Sequence, residues 1–96
     1  SVPGTPVIRK KLDAVGEANK DGSIFISDSV EPGSIEDHIT LQHEMKHIVD
    51  MKTGKLSYED DYITWNGEKY DRKDGLIKHG EMWFPEGHDD LPWEGH

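Results

Sequence analysis

None of the 96 residues is a cysteine. Disulfides and thiolate metal sites are therefore excluded, which removes two of the usual means by which so short a chain reinforces a small core. The core itself is lean, because apolar residues make up 32% of the chain and charged residues another 32%. Three Trp, three Tyr and two Phe nevertheless argue against disorder. Histidine occurs six times. A metal ion on imidazole and carboxylate ligands is the natural reinforcement left to a chain of this kind, which is long enough for one domain spanning residues 1–96.

Charge narrows the partners. Eleven Lys and Arg against 20 Asp and Glu leave a formal charge of −9. Such a chain has no electrostatic footprint for nucleic acid or for an anionic membrane surface. No run approaches the ~18 apolar residues of a membrane span. The start, Ser1-Val2-Pro3-Gly4-Thr5-Pro6, has neither the basic head nor the apolar stretch of a signal peptide. The lack of an initiator Met suggests processing, trimming or excision from a longer chain.

Residues 1–6, with two prolines and a glycine, read as an extended arm. In residues 7–15 the spacing of Val7, Ile8, Leu12 and Val15 fits a short helix slightly better than a strand. Lys20-Asp21-Gly22 is a turn signal, and residues 23–27 after it are β-branched and aromatic enough for a strand. Pro32-Gly33 breaks that strand, and Ser34 then caps a helix expected over residues 35–53. Asp37 is an imperfect capping-box partner, and Gly54 suits the helix end. At about 100° per residue, Leu41, Met45, Ile48 and Val49 share one side, with His38 also on that side. Glu36, His43, His47 and Asp50 share the other, which is expected to present polar groups. Asn66-Gly67 predicts a type I′ hairpin between residues 62–65 and 68–70. A polar turn at residues 71–75, a short strand within 76–84 and a C-terminal loop at 85–96 complete the reading.

The helix carries His43-Glu44-Met45-Lys46-His47, an H-E-x-x-H motif. Residues i and i+4 lie on one helical face, so both imidazoles can reach one metal ion. Glu44 sits about 100° round from His43 and about 60° from His47, too far round for an obvious third ligand. It is close enough to take a proton from a water that Zn2+ would acidify towards a pKa of ~7. The third ligand is open. Asp50 and Thr53 stand where H-E-x-x-H-x-x-G-x-x-H would place its glycine and third histidine. Downstream candidates are Glu59, Asp60, Asp61, His79, Glu81, Glu86, His88, Glu94 and His96. Asp50, one turn after His47, is better placed to orient an imidazole N–H than to ligate.

The run over residues 34–58, with Trp65-Asn66-Gly67-Glu68-Lys69-Tyr70 and Leu91-Pro92-Trp93-Glu94, resembles small zincin-type, gluzincin-like metallopeptidases encoded by tailed bacteriophages. H-E-x-x-H is widely shared, so the likeness rests on the Gly-Lys-Leu-x-Tyr, Trp-x-Gly-x-x-Tyr and Pro-Trp-Glu pieces together. It implies that the Glu opening a Pro-Trp-Glu helix is the third ligand, here Glu94. Gly95-His96 departs from the acidic helix expected next, leaving His96, His88 and His79 as substitutes.

The expected fold is a single α+β zincin-like domain, with one active-site helix packing Leu41, Met45 and Ile48 on a small, mostly antiparallel sheet. The strand at Ile24 and Ile26 is expected to line a cleft and offer an edge to a peptide. Trp65, Trp83, Trp93, Phe25 and Phe84 are expected in the core or cleft wall, while Tyr58, Tyr62 and Tyr70 are alternatives for stabilising an oxyanion. No Gly-x-Ser-x-Gly elbow supports a serine hydrolase. The expected function is a zinc-dependent metallopeptidase acting on peptide or protein substrates. The competing class is a non-catalytic, metal-stabilised binding or virion component. If phage-encoded, either would work in the host cytoplasm or the virion.

Overall fold

The first strand lies where a short helix was expected. β1 (Val7–Lys10) runs parallel to β3 (Ile24–Ser27), and β2 (Gly16–Ala18) pairs antiparallel on the other side, in the order β1-β3-β2. Val7 and Ile8 are β-branched, and the pairing begins just before them, where the Ile24 N–H donates to the Pro6 carbonyl at 2.9 Å. That tertiary pairing overrides a weak helical spacing. The computed structural model describes residues 4–95. Residues 1–3 of the expected arm and the runner-up ligand His96 lie outside them. The chain divides into two compact units, residues 1–50 and residues 51–96.

The helix α1 (Ile35–Lys52), which lies in the first unit as far as Asp50, packs on this sheet. The Asp37 N–H donates to Ser34 Oγ at 3.1 Å, as a cap requires. The Asp37 carboxylate accepts from the Gly33 N–H at 3.0 Å and from Arg9 Nη1 at 2.7 Å. Arg9, and then the Gly33 amide, hold the Asp37 carboxyl below the usual carboxylate range. Register explains how the helix is placed. Arg9, Ile26 and Gly16 are direct partners across the three strands and so share one face. Arg9 reaches Asp37 from that face, and Gly16 lies against Thr40 and Glu44 one and two turns on. Ile24 and Ile26 are fully buried, whereas Phe25, on the opposite face, carries Lys10 Nζ 4.6 Å from its ring centroid.

Two expectations about the helix faces need correction. Ile48 is buried, but Leu41 and Met45 are only half-buried, Val49 is 48% exposed and His38 is exposed. Asp37, Thr40, Glu44, His47 and Asp50 are buried instead. Periodicity assigns burial by apolarity, whereas this helix buries a polar stripe whose N-terminal end is neutralised by Arg9. The cleft strand is also corrected. β3 is central and paired on both sides, so the edges belong to β1 and β2.

The second unit is an antiparallel five-stranded meander of β4 (Leu56–Tyr58), β5 (Tyr62–Trp65), β6 (Glu68–Lys73), β7 (Leu76–His79) and β8 (Met82–Pro85), in that order. Asn66 and Gly67, with φ of 50° and 83°, make the expected hairpin turn. Asp74 and Gly75 repeat it between β6 and β7, at 52° and 76°, and the one strand expected within residues 76–84 is two, β7 and β8, joined through Gly80 and Glu81. Leu56, Ile63, Ile77, Leu91 and Trp93 form its core. The expected C-terminal loop begins after Pro85, and two of its residues, Leu91 and Trp93, are each 1% exposed. The fold class is α+β, with every strand pair but β1–β3 antiparallel.

Candidate metal centre

The motif helix brings its two histidines together. His43 Nε2 and His47 Nε2 are 3.1 Å apart, and the rings meet edge to face with centroids 4.7 Å apart. Two nitrogens at 2.0–2.1 Å from a tetrahedral zinc ion would stand about 3.3–3.4 Å apart. The pair is therefore pre-set close to the spacing that coordination demands. His47 is buried at 3% exposed and His43 is half-buried, so one ring is fixed by packing while the other keeps an open side.

Among the described residues, one group of His, Asp and Glu side chains could hold a metal ion: His43, His47 and Glu94. Each offers one ligand atom, and these atoms lie within 4.8 Å of one another. The Glu94 expected by resemblance is thus in the group, and Glu59, Asp60, Asp61, His79, Glu81, Glu86 and His88 are not. Several of these have other partners. Glu86 pairs with Arg72 at 2.9 Å. His79 packs against Tyr70 and Phe84, and His88 Nδ1 accepts from the Asp90 N–H at 3.0 Å.

Glu94 is held by its neighbours within the second unit. Its N–H donates to the Leu91 carbonyl at 3.0 Å, and the Leu91 N–H donates to that of His88 at 3.0 Å. Leu91 and Trp93 insert into the core, with the Tyr70 ring 5.2 Å from Trp93. A Pro-, Gly- and Asp-rich segment would ordinarily be mobile, but here two buried side chains fix the turn that ends in Glu94.

Glu44 is 8% exposed, with its Cγ and Oε2 lying beside Gly16 of β2. Asp50, one turn after His47, is buried. The three tyrosines all belong to the second unit: Arg72 lies over Tyr58, Lys69 over Tyr62, and burial raises the Tyr70 phenol pKa. Of the aromatic residues, Trp93 is core, Trp65 and Phe84 pack against it, and Trp83 is exposed. Sequence reading missed two contributors, Arg9 and Gly16. A glycine inside a strand signals a close approach of another group, but residues 16–18 lack the β-branched pattern that reveals a strand. No helix among the described residues is long and apolar enough to cross a membrane. Comparison with protein-family models, curated proteins and solved structures finds no match.

Proposed function

We propose that the chain is a zinc-dependent hydrolase of peptide bonds, with His43, His47 and Glu94 as ligands and Glu44 as general base. The observation that carries this reading is the 3.1 Å convergence of two imidazole Nε2 atoms, with a buried glutamate between them in sequence. Zinc, when bound, supplies a Lewis acid that polarises a carbonyl and acidifies water. The chain supplies the rest. His43 and His47 present nitrogen ligands from one rigid helix. The Glu44 carboxylate takes a proton from the attacking water and returns it to the departing amine nitrogen as the C–N bond breaks. Among the described residues β2 is an edge strand, paired with β3, and its Gly16 lies against Glu44. An extended peptide added to that edge would bring its backbone to the base. The resemblance to phage-encoded zincins supports the same class.

Glu44→Gln tests the reading. It should keep the fold and the zinc affinity while abolishing hydrolysis of an unstructured peptide library. A zinc-loaded wild type that hydrolyses nothing would sink the peptidase and favour the metal-stabilised binding or virion component.

A further inference from the structure

Eight glycines of this chain take positive φ, and Gly16 is not among them. Its backbone is one that any residue could adopt, so what the missing side chain provides is space. A Cβ at Gly16 would stand 2.7 Å from Thr40 Cγ2, and 3.1 Å from both Cγ and Oε2 of Glu44. Real Cβ atoms do not approach to 2.7 Å, and the Thr40 methyl is stiff at χ1 and buried. The Glu44 atoms concerned are the one that sets the direction of its side chain and one of its two carboxylate oxygens.

We infer that Gly16 is a positioning residue for Glu44: its bare backbone in β2 is the wall against which this carboxylate rests, and it sets where the proton acceptor points. The inference rests on Glu44 being the general base. Three observations carry it. The register places Gly16 beside Ile26 on the helix-facing side of the sheet. The Arg9–Asp37 pair ties the same row of residues to the first turn of the helix, so β2 and Glu44 cannot easily slide apart. Glu44 is buried, so its carboxylate has little room in which to take up another rotamer.

Packing and positioning can be separated, because two different side chains meet the missing Cβ. Thr40→Ser removes Cγ2, the closer obstacle, and leaves both Glu44 contacts in place. The full chain would be prepared as wild type, Thr40→Ser, Gly16→Ala and the Gly16→Ala/Thr40→Ser double variant. Gly16→Ala should lower the melting temperature, and adding Thr40→Ser should restore most of the loss. Crystal structures of the metal-free Thr40→Ser and double variants should then differ at the Glu44 carboxylate by more than about 0.5 Å, the tolerance of a working site. With zinc added, the double variant should lose at least tenfold in kcat relative to Thr40→Ser, since misplacement by about 1 Å can cost about a hundredfold. KM and zinc affinity should stay within about threefold.

A double variant whose Glu44 carboxylate and kcat both match Thr40→Ser would overturn the inference and leave Gly16 a packing residue against Thr40. An inactive wild type would remove the general-base reading instead. The metal-free structures would then still decide whether Gly16 sets this carboxylate: displacement supports it and coincidence overturns it.

Discussion

Trp93→Ala should be among the most damaging substitutions in the second unit, although it falls in a segment whose composition reads as loop. The side chain is 1% exposed and sits with Leu56, Ile63, Ile77 and Leu91. A buried Trp removes roughly 150–250 Å² from water, about 4–6 kcal/mol at ~25 cal/mol per Å². Measured Trp→Ala costs in cores run at about 3–5 kcal/mol. Total stability scales as roughly 0.05–0.15 kcal/mol per residue, so a chain of this length holds only about 5–14 kcal/mol. The variant should therefore lose about a fifth of it at the least, and more than half if total stability lies at the low end. Even 3 kcal/mol would lower the melting temperature by about 12–24 °C. Urea unfolding in the presence of chelator measures this free of metal, with Trp65 and Trp83 left as fluorescent reporters. Trp83→Ala is the matched control, because Trp83 is 42% exposed and surface changes usually stay within about 0.5 kcal/mol. Zinc should also stabilise the variant less than it does wild type, because Trp93 anchors the turn before Glu94. A Trp93→Ala cost under 1 kcal/mol, or a Trp83→Ala cost as large, would refute the reasoning.

Three further outcomes follow from individual contacts. The Asp37 carboxyl is held below its ordinary range by Arg9 and the Gly33 N–H, so its contribution is complete above the unfolded value near 3.9 and is lost as pH falls through the lower folded value. Asp37→Asn should flatten the loss of stability between pH 5 and pH 2, read as urea midpoints; an unchanged acid slope would contradict this. Ser34→Ala removes the acceptor of the Asp37 N–H and should cost about 1 kcal/mol, or roughly 4–8 °C in thermal unfolding. His79→Gln and His88→Gln, whose rings pack near Phe84, should leave zinc affinity within about twofold by calorimetric titration, and a tenfold loss in either would relocate the third ligand.

The helix and its motif were legible because their signals are local. Ser34 caps, the Asn66-Gly67 hairpin closes, and the i, i+4 spacing brings His43 and His47 together on a helix observed at Ile35–Lys52 against an expected 35–53. What escaped is non-local. β1 is a strand because it pairs with β3, a partner some 17 residues away in register, from Val7 to Ile24. β2 is three residues with a glycine at its start, too short for any pattern. The buried side of α1 escapes periodicity because Asp37 is compensated by Arg9, from a strand that forms only by pairing with β3. The C-terminal segment looked mobile because Pro, Gly and Asp outnumber its apolar residues, yet Leu91 and Trp93 suffice to hold it.

The most direct test of the proposed metal centre is X-ray absorption at the zinc edge on full-length, tag-free protein loaded with one equivalent of zinc. Two imidazole nitrogens and carboxylate or water oxygens in the first shell, with one imidazole lost in each of His43→Ala and His47→Ala and only an oxygen lost in Glu94→Gln, is the expected result. Three imidazoles would transfer the third position to another histidine. A zinc shell that is unchanged by His43→Ala and His47→Ala would contradict the motif helix as the metal's site.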